Sequence, residues 1–160
     1  MAQVLSKMTS LITNLGLAAN NYTSAFILWN WAYAYLLTSP RTLTIRAGLD
    51  HNENPRFDLA KYGERAVTEG KLTRKRLQQI QRAQSAHQNS IESFALFAST
   101  MVLMNVAKLD AETINLIGAL YSIFRVSYVK AYYYIEDRHL SILRSIVWHC
   151  GNFSCFYGIW

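Results

Sequence analysis

A long stretch without charge limits what this chain can fold into more than any other feature of its sequence. No charged residue lies between Lys7 and Arg41. Within that stretch, the segment from Tyr22 to Thr38 is apolar and aromatic, with one amide, Asn30. A helix that crosses a bilayer needs roughly 17–25 such residues. The segment therefore predicts a first membrane-spanning helix.

Three later stretches are also poor in charge. They are residues 91–107 with Glu92, residues 113–135 with Arg125 and Lys130, and residues 140–160 with Arg144. The average composition, 51% hydrophobic and 16% charged, would also suit a soluble helical bundle. Four charge-poor stretches in succession nevertheless favour a membrane protein.

We therefore predict an all-α fold in a single domain, residues 1–160, built as an integral membrane four-helix bundle with left-handed up-down topology. The predicted spans are about 22–38, 87–107, 113–135 and 140–160, and a polar loop covers about 39–80. Thr73 and Asp110 are the expected N-caps of the second and third helices. The last span is short, because it has only sixteen residues after Arg144.

Basic residues concentrate in one connection of this bundle. Of the sixteen lysines and arginines, ten lie between Arg41 and Arg82. The positive-inside rule places this 41–82 segment in the cytosol and both termini on the opposite side. Nucleic-acid binding is not favoured, because the cluster at residues 74–76 opens a helix that leads into the membrane and no recognition fold accompanies it.

Polar residues recur on one face of each of the last three helices. They are Gln81, Ser85, Gln88 and Glu92 with Arg82 and Asn89 beside them, then Tyr121, Arg125, Tyr128, Tyr132 and Glu136, and finally Arg144. One interpretation is structural: Glu92 pairs with Arg125 and the tyrosines anchor at the interface. The other is a ligand site, since three arginines face one acid and the surplus positive charge favours an anion.

Three of these segments resemble the MAPEG family, the membrane-associated proteins of eicosanoid and glutathione metabolism. Residues 86–92 (AHQNSIE) resemble its second-helix signature, Asn-x-x-Glu, with Asn89 and Glu92. Residues 125–132 (RVSYVKAY) resemble its third-helix pattern, and residues 143–145 (LRS) its fourth-helix arginine. The likeness extends from about residue 22 to residue 160 and is nearest to small fungal members, which also carry Asn-Pro-Arg in the loop, here residues 54–56.

The resemblance implies a homotrimer that binds glutathione between subunits near the cytosolic face. The residues it assigns are Arg144 as catalytic, and Arg82, Asn89, Glu92, Arg125, Tyr128 and Tyr132 as cofactor-binding. The better-known eicosanoid members have an arginine at the position of Ser85, and here Arg82 lies about one turn earlier. The spacing from Tyr132 to Arg144 is also longer than in those enzymes. Tyr133, Tyr134 and Arg138 are therefore alternative site residues.

The implied function is that of a glutathione-dependent transferase, isomerase or peroxidase acting on a lipophilic electrophile, in contact with membrane lipid, in the endoplasmic reticulum. Glutathione is the expected cosubstrate, and no metal is expected because His51, His139 and His149 form no ligand set. Two other functions stay open. One is a glutathione-independent isomerase or cyclase of a hydrophobic metabolite, and the other is a non-catalytic membrane scaffold.

Overall fold

The computed structural model describes residues 20–137 and 139–160 and, before them, residues 6, 7, 10, 13, 14 and 16. Between residues 20 and 160 the described regular structure is helical, which confirms the all-α prediction. The helices are α1 (Thr23–Ala32), continued by a π-helical turn (Tyr33–Leu37), α2 (Arg41–Arg46), α3 (Pro55–Thr68), α4 (Arg74–Val106), α5 (Ala111–Tyr134) and α6 (Ile142–Ile159).

Both predicted N-caps are confirmed. The Thr73 hydroxyl accepts a hydrogen bond from the backbone N–H of Arg76 at 3.2 Å and begins α4. A carboxylate oxygen of Asp110 accepts from the backbone N–H of Thr113 at 2.7 Å and begins α5. That hydrogen bond lowers the pKa of Asp110. A side-chain acceptor at these positions satisfies an N–H that the first turn of a helix leaves unpaired.

The main core lies where α4, α5 and α6 pack together. Its fully buried members are Phe97, Met101, Met104, Ile114, Ile117, Tyr121 and Cys155. The rings of Phe97 and Tyr121 stack with centroids 4.1 Å apart. α1 packs against this core through Phe26 and Ile27. A ring atom of Phe26 lies 2.6 Å from the point where a Cβ on Gly118 would be, so α1 and α5 approach closely only because residue 118 has no side chain.

The segment predicted as a polar loop is folded. It contains α2, α3 and the first two turns of α4, which share a second core of Leu49, Leu59, Ala66, Leu77 and Ile80. Charge-poor stretches do not reveal these two helices, because α3 contributes only Leu59 and Ala66 to this core and α2 only the partly buried Leu43. Their burial depends on the start of α4, which supplies Leu77 and Ile80.

α1 with its π-helical turn, α4, α5 and α6 overlap the segments 22–38, 87–107, 113–135 and 140–160, and α4 begins thirteen residues before residue 87. Among the described residues, no helix is both long enough and apolar enough to be identified as a bilayer-crossing segment.

Candidate functional site

Arg125 lies at the centre of the polar faces of α4 and α5 and is only 4% exposed. Its Nε donates to the Tyr121 hydroxyl at 3.1 Å, and its Nη1 donates to Oδ1 of Asn89 at 3.0 Å. Its guanidinium carbon lies 5.4 Å and 5.3 Å from the ring centroids of Tyr121 and Tyr128. The third nitrogen, Nη2, is buried and has no hydrogen-bond partner among the residues that the structure describes.

Glu92 does not neutralise this arginine. An oxygen of Glu92 instead accepts from Nε2 of Gln88 at 2.9 Å, one turn earlier on the exposed side of α4. The structural interpretation, in which Glu92 and Arg125 form an ion pair, is therefore wrong. The acceptors that Arg125 does have are a phenol and an amide, both neutral, so a buried positive charge stands without a carboxylate beside it. Such a charge favours an anion nearby.

The contact with Arg125 sets the orientation of Asn89. Its Oδ1 accepts from Arg125 and lies 3.5 Å from the Ser93 hydroxyl. An amide whose oxygen is occupied on one side presents its NH₂ group on the other. Asn89 also lines both of the clefts described next, so it offers them a donor. This arrangement suits a ligand carbonyl or carboxylate oxygen.

Two clefts meet at Asn89, Tyr128 and Tyr132. The α6 cleft, of about 440 Å³, is lined by these three residues and by Ser141, Arg144, Ser145, Trp148 and His149. The α4 cleft, of about 520 Å³, is lined by the same three and by Gln81, Gln84, Ser85, Gln88 and Glu92. The structure therefore brings together five of the predicted site residues: Asn89, Glu92, Tyr128, Tyr132 and Arg144.

Arg144 lies in the first turn of α6, with its guanidinium carbon 4.5 Å from the ring centroid of Tyr132. Its Nη2 donates to the backbone carbonyl of Ile135, and its Nε is buried and has no partner in the described part of the chain. The stacked ring and the carbonyl hold the planar group in place. Arg144 is thus a cation fixed at the edge of the α6 cleft.

Two predicted site residues lie outside the clefts. Arg125 contacts Asn89 from behind. Arg82 donates from Nη2 to Glu136 at 3.0 Å, and Lys75 approaches the same carboxylate at 3.6 Å. Arg82 therefore has a carboxylate partner, although its Nε is buried without a hydrogen-bond partner among the described residues.

The alternative site residues predicted from the sequence are Tyr133, Tyr134 and Arg138. Tyr133 and Tyr134 line a different cavity, beside the end of α1. Arg138 lies outside the described residues.

Sequence reasoning missed Trp148 and Ser93, and it placed Tyr121 on the polar face of its helix without assigning it to the site. Trp148 follows Arg144 by four residues and so shares its helix face, a spacing that was available in the sequence. Tyr121 donates to the Ser93 carbonyl at 2.9 Å while accepting from Arg125. In the described part of the chain, no group of three or more His, Cys, Asp or Glu side chains is placed to hold a metal ion.

The comparisons with known proteins agree with this arrangement at the level of the family. The model of the MAPEG family matches residues 21–160, which include every residue of both clefts. No curated protein and no solved structure matches the chain. Because the match covers all but the first twenty residues, the chain belongs to the MAPEG family.

Proposed function

We propose that this protein is a membrane enzyme that binds glutathione as its thiolate between the subunits of a homotrimer and delivers it to a lipophilic electrophile. Membrane association, a trimeric assembly and the use of glutathione are general properties of its family, whose members include transferases, isomerases and peroxidases. We place this protein in the endoplasmic reticulum, with the 41–82 segment in the cytosol.

The observation that carries the proposal is the surplus of donors around the two clefts. Arg144, at the edge of the α6 cleft, keeps a buried N–H without an acceptor among the described residues, and the Asn89 amide, held from behind by Arg125, is turned to donate. Unpaired buried donors are costly, so they indicate a partner that the chain itself does not supply. Glutathione carries two carboxylates and a thiol, which match this set of donors.

A neighbouring subunit has room to complete the site. The α4 cleft is bounded by α4 and α5 alone, so its remaining side is open to a second copy of the chain. Glu92 is exposed at this cleft and, among the described residues, accepts a hydrogen bond from Gln88 alone. Its carboxylate is thus available for the peptide's ammonium group, while Asn89 donates to a carboxylate or carbonyl oxygen.

Arg144 has the geometry needed to activate the thiol. A free cysteine thiol has a pKa of about 8.5, and a guanidinium beside the sulfur stabilises the thiolate. The Tyr132 ring and the Ile135 carbonyl hold Arg144 in place, so its position need not reorganise during the reaction. The thiolate is the nucleophile, and the apolar part of the cleft would receive the electrophile.

The test is the binding of glutathione to the detergent-purified protein. Calorimetry measures the affinity, and the absorbance of the bound peptide measures its thiolate. We expect Arg144→Ala to lose the thiolate signal and to lower turnover at least a hundredfold, consistent with the loss of one electrostatic contact in an active site. Arg65→Ala is the matched control, since Arg65 is an exposed arginine of α3. The absence of binding at millimolar glutathione in the wild-type protein would contradict the proposal.

A further inference from the structure

The connection between α5 and α6 helps to determine where the Arg144 guanidinium lies. Arg144 is the third residue of α6, and the ends of helices fray because their first N–H groups lack partners within the helix. Its guanidinium donates to the carbonyl of Ile135, the residue that directly follows α5. Ile135 has an extended backbone, with φ −81° and ψ 114°, so its carbonyl leaves the direction of the helix axis. The position of Arg144 therefore depends on the Tyr132 ring and on a carbonyl that lies outside the helices.

The residue after Ile135 is anchored to α4. Oε1 of Glu136 accepts a hydrogen bond from Nη2 of Arg82 at 3.0 Å, and Oε2 lies 3.6 Å from Nζ of Lys75. The side chain of Arg82 is 17% exposed and that of Lys75 is 80% exposed, so Arg82 is the more firmly held of the two cations. The ion pair of Arg82 and Glu136 thus fixes the backbone beside Ile135 relative to α4.

Through this pair, α4 reaches both sides of the candidate site. Asn89 lines both clefts and follows Arg82 by seven residues, which is roughly 10 Å along the helix axis. Residues seven apart lie on nearly the same face of a helix. Asn89 faces the clefts directly, while Arg82 reaches Arg144 through Glu136 and Ile135. The separation between the Asn89 amide and the Arg144 guanidinium is therefore set by one rigid helix.

An ion pair of this kind contributes little to the stability of a fold. The side chain of Glu136 is 47% exposed, and water screens the attraction between partly exposed charges. The geometry of an active site, by contrast, is sensitive to displacements of about 1 Å. The pair can therefore be important for the site while it changes the free energy of unfolding only slightly.

We propose that Arg82 and Glu136 are positioning residues. Their ion pair acts through the carbonyl of Ile135 and holds the Arg144 guanidinium at the distance from Asn89 that the bound peptide requires. The effect on a thiolate rests on the proposed function, whereas the positioning of Arg144 depends only on these contacts. Arg82 thus serves the site without touching the ligand.

The first test removes each charge of the pair in turn. In Arg82→Gln and in Glu136→Gln we expect the thiolate absorbance of bound glutathione to fall at a fixed pH, and kcat to fall by about tenfold, because Arg144 moves away from the sulfur. The KM for glutathione should change by less than about twofold, because the contacts that bind the rest of the peptide stay in place. The melting temperature should not change, since the pair is partly exposed.

Three further variants separate positioning from a general loss of charge. Arg82→Lys keeps a cation for Glu136 and should restore most of the thiolate signal and of kcat. The double variant Arg82→Gln/Glu136→Gln should be no worse than the stronger single variant, because both changes break the same contact. Arg74→Gln is the matched control. Arg74 also lies on α4 and pairs with a glutamate, Glu64, at 2.6 Å, but it is not among the described residues that line the clefts.

Two results with glutathione would overturn the positioning role. An unchanged thiolate signal and kcat in both single variants would do so and would leave the proposed function standing. A melting temperature that falls together with kcat and with glutathione affinity would show that the pair only stabilises the fold.

Hydrogen exchange in the absence of glutathione separates this inference from the proposed function. The amide of Ser141 donates to the carbonyl of Asp137 at 3.1 Å, and the amide of Arg144 donates to the carbonyl of Ser141 at 3.0 Å, so both amides report the order of the connection. Faster exchange of residues 139–144 in Glu136→Gln than in Arg74→Gln supports the positioning role even if the wild type binds no glutathione, in which case the proposed function fails alone. Equal exchange in the two variants overturns the positioning role, whatever the result with glutathione.

Discussion

At the scale of single residues, the site depends on which acceptor each arginine finds. Arg82 donates a hydrogen bond to the carboxylate of Glu136. Arg125 donates to Tyr121 and Asn89, and both of these described acceptors are neutral. The two arginines are therefore not equivalent, although both were predicted to bind the cofactor. Arg125 acts on the cleft through the orientation of Asn89, and Arg144 faces the cleft itself.

The orientation of Asn89 can be tested by one substitution. Asn89→Asp keeps an acceptor for Arg125 but removes the amide donor from the clefts. We expect the Kd for glutathione to rise at least tenfold, because a hydrogen bond to a charged group contributes about 1.5–3 kcal/mol. The melting temperature should not fall, since the new carboxylate pairs with the buried guanidinium.

Calorimetry and a thermal melt of the same sample provide both measurements. Asn105→Asp is a control for the general effect of replacing an asparagine of α4 by aspartate. Asn105 lies at the C-terminal end of α4, away from the clefts, and hydrogen-bonds Thr23. Undiminished glutathione affinity in Asn89→Asp would show that the amide faces away from the ligand.

At the scale of the elements, close helix contacts hold the polar faces in register. α1 meets α5 at Gly118, where an added Cβ would lie 2.6 Å from the Phe26 ring. α6 passes α5 at Gly151, where the nearest atom to an added Cβ is the Phe124 Cβ at 3.5 Å, an ordinary contact. The two positions thus differ in whether they leave room for a side chain, although both glycines are buried in helices.

This difference predicts opposite results for the same substitution. Gly118→Ala should lower the free energy of unfolding by about 1–3 kcal/mol, because an aromatic ring must move. Gly151→Ala should leave it unchanged or raise it by up to about 1 kcal/mol, because alanine favours the helix. Chemical denaturation of both variants in the same detergent measures the pair. Equal destabilisation would indicate that α1 does not pack on α5 as described.

At the scale of the whole molecule, the chain has two cores and an incomplete site. One core is formed within residues 43–80, which include the start of α4. The main core joins α1 with the last three helices. The α4 cleft lies on the surface of a single chain and is walled by two helices only. Under the proposed function, a second copy of the chain would enclose the ligand on the open side of this cleft.

The assembly is therefore open to direct measurement. Light scattering combined with size-exclusion chromatography should give a protein mass of three chains once detergent is subtracted. Glutathione at a hundred times its Kd should add about 2.7 kcal/mol to the stability of the assembled protein. A monomer that binds glutathione with full affinity would contradict the placement of the site between subunits.

Much of the fold was accessible from the sequence, because its signals are local. Thr73 and Asp110 begin helices by accepting from an N–H three residues later. The spacing of Asn89, Glu92, Tyr128 and Tyr132 places each pair on one face by the period of the helix. The folded segment of α2 and α3 was missed, since its few apolar residues are buried only against Leu77 and Ile80.

The sequence by itself therefore determined that the segments of α1, α4, α5 and α6 are helical, where α4 and α5 begin, and which faces carry polar residues, because each depends on residues within a turn or two. Only the tertiary structure decided the partners of the arginines. Arg125 hydrogen-bonds Asn89, which is 36 residues away in the sequence, and Arg82 hydrogen-bonds Glu136, which is 54 residues away. Such contacts depend on how helices pack and which rotamers fit, and the periodicity of one helix does not contain that information.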